Sequence, residues 1–157
     1  MSLYTTKQRY AVVKRAGDAV RQRQRGKTSW TIGRQKFDLE TGGYCNRFVR
    51  QVFETSLGMG AFGWYFGDAT ARDTLDKLNA FEIEKGFVKL QPGDIIRWYD
   101  GSGPYGHIAI YIGGEKKLIA ENTSATRGDP NKPGTKVTRL ENCRTGWRAY
   151  RLFPTDK

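Results

Sequence analysis

The chain has little of what many site chemistries need. It carries two cysteines, Cys45 and Cys143, and a single histidine, His107. A structural zinc site takes about four Cys or His ligands at close spacing, and three residues far apart along the chain do not supply them. Two cysteines are no disulfide framework either; one bridge is conceivable but not implied. No apolar stretch is long enough to span a membrane. No signal peptide is visible at the N-terminus, and no internal repeat is present. Acidic side chains are outnumbered, with 16 Asp and Glu against 27 Lys and Arg, for a net charge of +11. That excess points to a polyanionic partner, such as nucleic acid, an anionic cell-wall polymer or an acidic membrane face; a merely well-solvated surface is the plain alternative. A zinc-knuckle or RNA-recognition signature is also lacking, so no specific nucleic acid is expected. The densest basic run, residues 14–27 with Arg21, Arg23, Arg25 and Lys27, lacks the aromatic interleaving of a base-stacking surface. It reads as the exposed end of a helix.

What is present suits one domain over residues 1–157, with 1–40 forming a basic helix and a loop-like lead-in. A chain of this size buries roughly 70% of its unfolded surface and supports a core without staples. Residues 5–25 show a weak apolar stripe at Val12, Val13, Ala16, Ala19 and Val20, which predicts a polar helix. Residues 26–43 are glycine-containing and read as loop. Cys45, Phe48, Val49, Val52, Phe53 and Leu57 then fall at helical spacing, with Gly58 and Gly60 as stop signals. Residues 59–67 have no clear period, and Asp68 looks like the N-cap of a short helix reaching Leu78.

Strand patterns follow. Gln91-Pro92-Gly93-Asp94 is a turn into a strand over 95–99, and residues 100–106 form a glycine-rich turn. Residues 107–112 alternate between two faces, and Gly113 to Lys116 make a hairpin into a strand over 117–123. Residues 124–135 read as loop, and 136–140 and 146–153 as the last strands. Helices first and an antiparallel meander second predict an α+β fold, with helices on one side of a sheet of about five or six strands.

Cys45 opens the best helix in the chain and follows Gly42, Gly43 and Tyr44. Unpaired backbone N–H groups and the positive end of the helix dipole gather there and favour a thiolate, the nucleophilic form. The Cys45 N–H is also placed to help an oxyanion hole. A buried core cysteine is the competing reading. His107 stands at the start of a strand whose other face is Ile108, Ile110 and Ile112. A rigid strand end carrying the sole histidine is what a Cys–His pair requires. The third member, which orients the imidazole, is sought on the next strand, where Glu121 and Asn122 point to opposite faces. Small Ala120 shares a face with Asn122, as Ala109 does with His107. That parallel favours Asn122, with Glu121 the alternative should the register slip by one. Tyr44, Trp64 and Tyr105 are candidates for oxyanion or substrate binding. Tyr65, Trp98 and Tyr99 are further aromatics near the site, with Trp98 read chiefly as packing.

Three segments carry a likeness: Tyr44-Cys45-Asn46-Arg47-Phe48-Val49, Gln91-Pro92-Gly93-Asp94-Ile95-Ile96 and Gly106-His107-Ile108-Ala109-Ile110-Tyr111-Ile112-Gly113. In that order they resemble the core of NlpC/P60 and CHAP domains. The triplet Tyr44-Cys45-Asn46 stands where NlpC/P60 members often carry Asp-Cys-Ser. Glu121 and Asn122 are adjacent, where CHAP members often space Glu and Asn two apart. The resemblance implies a small papain-like fold and a cysteine hydrolase, peptidase or N-acetylmuramoyl-L-alanine amidase in type, with Cys45 as nucleophile and His107 as base. It implies a peptidoglycan stem peptide as substrate, no metal or other cofactor, and a monomer that cell-wall polyanions attract. The implied place of action is outside the cell or in its envelope after removal of any export signal, or the cytoplasm until release if the chain is phage-derived. An acyltransferase or transglutaminase-like enzyme on the same pair, and a non-enzymatic wall- or nucleic-acid-binding module, are the rival readings.

Overall fold

A computed structural model describes residues 5–32, 35–58, 80–83, 89–99 and 106–152. Helix α1, Thr6–Gln24, begins with a reciprocal cap: Thr5 Oγ1 accepts from the Gln8 N–H, and Gln8 Oε1 accepts from the Thr5 N–H. Its buried residues, Val12, Ala16, Ala19, Val20 and Arg23, form one stripe. Helix α2, Cys45–Leu57, runs to Gly58, which takes a positive φ of 89°. Phe48, Val49, Val52 and Phe53 on its inner side are fully buried. Each such side chain contributes about 1.5–3 kcal/mol relative to exposure, so packing rather than intrinsic propensity holds α2 in place.

The basic run differs from the sequence expectation at one residue. Arg23 is buried, and its guanidinium donates to the Thr135 and Pro133 carbonyls. It clamps the end of α1 to the chain at Pro133 and Thr135, while Arg21, Arg25 and Lys27 are exposed. The stretch 26–43 is not all loop. Ser29–Ile32 (β1) and Gln35–Asp38 (β2) pair as an antiparallel hairpin; their short, mixed sequences have no sustained alternation to announce them.

Six further strands, β3 Ala80–Ile83, β4 Ile95–Trp98, β5 His107–Gly113, β6 Leu118–Thr123, β7 Gly134–Arg139 and β8 Arg148–Leu152, make one sheet in the order β3-β8-β4-β5-β6-β7. All its pairings are antiparallel. β4 to β7 form the expected meander, but β8 returns to pair with β4 rather than extending past β7. The sequence reading did not anticipate β3. The short helix expected over 68–78 and the aperiodic stretch 59–67 lie outside the described residues.

Both faces of the sheet are apolar. Ile95, Ile108, Ile110 and Ala120 join the core formed with α1 and α2. Ile96, Trp98, Ala109, Tyr111, Ile119, Leu140, Cys143 and Ala149 form a second cluster. The Gln91–Asp94 turn is tied to both ends of the chain. Asp94 is fully buried, accepts from the Gln91 N–H at 2.7 Å, and receives two bonds from Arg151, each 2.9 Å, and one from Arg9 at 3.3 Å. Among the described residues no helix is long and apolar enough to cross a membrane. Cys45 and Cys143 are both free.

Candidate active site

The start of α2 is fixed from β6. Asn122 is fully buried; its Oδ1 accepts from the Tyr44 N–H at 2.9 Å, and its Nδ2 donates to the Thr41 carbonyl at 2.8 Å and to Thr135 Oγ1 at 3.2 Å. Gly42 lies so close to β6 that a Cβ there would collide with the backbone of Thr123 and Ser124. Cys45 is the first residue of the helix, half-buried, and its sulfur receives backbone N–H groups from Asn46 and Ile108.

His107 opens β5. Gly106 before it has φ 71°, and any side chain there would run into the Trp98 carbonyl. The imidazole lies against the Trp98 ring, with centroids 5.4 Å apart. Its Nε2 is 2.7 Å from Glu121 Oε1. An ionised carboxylate only accepts, so Nε2 carries the hydrogen. The remaining nitrogen, Nδ1, is the one left for the hydrogen bond between this ring and Cys45.

The electrostatics follow from that chain of contacts. Burial is the largest single influence on Cys45 and would raise its thiol; the His107 hydrogen bond and charge, with the two backbone donors, outweigh it and hold the thiol below its ordinary value. Burial alone would lower His107, but hydrogen bonds to Cys45 and Glu121 and their charges hold the imidazole above its usual value. Glu121, fully buried, would be raised by desolvation, yet His107, Arg127 and Thr138 bring it below the ordinary carboxylate range. The lowered thiol and the raised imidazole both bias the pair toward thiolate and imidazolium. Such a pair can attack an electrophilic carbon and return a proton to a leaving group.

The structure brings Cys45, His107 and Glu121 together and does not place Asn122 on the imidazole. Register is the reason. Ile110 pairs with Ala120 and Tyr111 with Ile119. Ala120 and Asn122 therefore share the isoleucine face, and Glu121 shares the His107 face. Tyr44 is exposed, contributes its backbone N–H to Asn122, and sets its ring edge-on to Phe37 at 6.3 Å. Trp98 is buried with its indole N–H on the Arg144 carbonyl, and the Tyr99 hydroxyl meets that of Tyr150 at 2.5 Å. Trp64, Tyr65 and Tyr105 lie outside the described residues.

Two residues of this cluster were missed. Thr138 Oγ1 donates to Glu121 Oε2 at 2.5 Å, and Arg127 Nη2 donates to Glu121 Oε1 at 2.9 Å. The available signal was Glu121 itself: an acid within Ile119-Ala120-Glu121 of an apolar strand needs donors to be buried.

A cleft of about 340 Å³ between the β1–β2 hairpin and the start of α2 is lined by both charge signs, including Lys36, Asp38, Glu40, Tyr44 and Arg47. A smaller cavity of about 110 Å³ lies against His107, Trp98, Arg127, Cys143 and Arg144. Among the described residues no group of three or more His, Cys, Asp or Glu is arranged to hold a metal ion. No family model, no curated protein and no solved structure matches the chain.

Proposed function

We propose that this protein is a cysteine hydrolase that cleaves an amide bond in peptidoglycan, with the catalytic residues Cys45, His107 and Glu121. The observation that carries the reading is the hydrogen-bonded run from the Cys45 sulfur through His107 to a buried, ionised Glu121, set at the N-terminus of α2. The Cys45 thiolate adds to the amide carbonyl carbon, and the developing oxyanion is met by the backbone N–H of Cys45 at the helix start. The imidazolium of His107 gives its proton to the leaving amine as the C–N bond breaks, leaving a thioester on Cys45. The neutral imidazole then takes a proton from water, whose oxygen attacks the thioester, and the acid product leaves as the thiolate re-forms. Glu121 holds the Nε2–H throughout and stabilises the charged ring.

The substrate class rests on the resemblance of the segments around Cys45, Asp94 and His107 to NlpC/P60 and CHAP domains, and on the net charge of +11, which draws the protein to anionic wall polymer. Action at the cell envelope follows from that substrate. The test is a zymogram on purified peptidoglycan with mass spectrometry of the released fragments. Clearing by the parent chain and none by a folded Cys45→Ala variant is expected; clearing by the variant would overturn the reading. Fragment masses separate endopeptidase from amidase. Rapid alkylation of Cys45 at low pH with no clearing would instead point to acyl transfer onto an acceptor other than water.

A further inference from the structure

We propose that Arg127 is a positioning residue of this site, holding and partly neutralising Glu121 through the same oxygen that orients His107. The inference rests on the Cys45–His107–Glu121 reading above. Glu121 Oε1 accepts from His107 at 2.7 Å and from Arg127 at 2.9 Å, while Oε2 accepts from Thr138 at 2.5 Å. Three donors satisfy a carboxylate whose side chain is wholly shielded from solvent. The Arg127 side chain is only about one-third exposed, at 34%, so its charge is not lost to water.

Two donors on one oxygen compete. The guanidinium is a permanent cation and draws part of the carboxylate's charge away from the imidazole. It also keeps Glu121 ionised whether or not His107 is protonated. The remaining groups facing the pair do not duplicate this. Cys45 faces the ring from α2, and Trp98 of β4 covers it without charge. Lys136 of β7 lies near Glu121, but its ammonium donates to the Ala125 and Lys132 carbonyls at 2.6 and 2.8 Å. Cys143 and Arg144 line the small cavity against His107, with Arg127 itself. Among the described residues, Arg127 is the cation hydrogen-bonded to Glu121 besides the imidazolium.

The consequence has a sign. Without the guanidinium, the full charge of Glu121 bears on His107, so the imidazolium persists to higher pH. The test is an NMR titration of His107, unambiguous because the chain has one histidine. It uses the full chain with Arg127→Gln, Arg127→Met and Arg127→Lys. The neutral variants should raise the His107 midpoint by about half a unit to one unit, and Arg127→Lys should return it toward the parent value. A midpoint that stays or falls in a folded neutral variant overturns the proposal. So does failure of both neutral variants to fold, which would assign Arg127 to the scaffold alone. Wall clearing measured in parallel keeps the two readings apart. A shifted midpoint in a chain that clears nothing sinks the hydrolase and leaves this role standing. Clearing with an unshifted midpoint does the reverse.

Discussion

Cys45 and Cys143 are the same side chain in two settings, and burial opposes the thiolate in both. At Cys45 the imidazole of His107 and two backbone donors overcome that opposition and the thiol falls below its ordinary value. At Cys143 the charge of Glu121 adds to desolvation, and together they hold the thiol above its ordinary value against the opposing charges of Arg127 and Arg144. His107 thus favours the thiolate at Cys45, and Glu121 opposes it at Cys143. Burial does not separate the two thiols here; the charged and hydrogen-bonding groups beside each do.

Removing His107 should erase the contrast. In His107→Ala the Cys45 thiol rises toward the behaviour of Cys143, and amide hydrolysis drops by roughly 10²- to 10⁴-fold. Alkylation of each cysteine across pH, read by peptide mass spectrometry, checks the first part and fragment release checks the second. If Cys45 keeps its low-pH reactivity, the helix terminus alone sets it. In the parent chain, activity should rise with pH as Cys45 passes its lowered value and loses its proton. It should fall again as His107 passes its raised value and the imidazolium is lost.

Disturbing the frame around Cys45 should have an intermediate effect. Asn122→Ala strips the Tyr44 N–H and the Thr41 carbonyl of their buried partner, at a cost of about 1–3 kcal/mol. Chemical denaturation measures that cost. Clearing should slow, while Cys143 alkylation stays as it was. The smallest change is expected at the other thiol. Cys143→Ala should cost about 1 kcal/mol and leave the pH profile of clearing where it is; a displaced profile would mean that the second sulfur belongs to the site.

The helix from Cys45 to Leu57 and the strand from His107 were legible because each has a strong apolar period. The choice between Glu121 and Asn122 was not, because alternation assigns them to opposite faces but says nothing about which face meets His107. Only the pairing of Ile110 with Ala120 decides that. The hairpin of Ser29–Ile32 and Gln35–Asp38 and the strand Ala80–Ile83 are four residues each, too short for a period to stand out. The return of Arg148–Leu152 to β4 is a long-range pairing with no local signature. Arg127 was hidden for a different reason: it lies in a loop, where no period ranks one arginine above another.

Adjacent positions on β6 serve the two halves of the site from opposite sides of the sheet: Glu121 holds the imidazole and Asn122 holds the turn that presents the thiol. Neighbours on a strand have no slack between them. The two halves are therefore phased by the backbone itself, like teeth cut on one rack. Substitution at either tooth weakens one half, but inserting or deleting a single residue upstream within β6 inverts both at once. A length change beyond Thr123, in the loop over 124–133, leaves that phase untouched and falls instead on the Arg127 contact with Glu121.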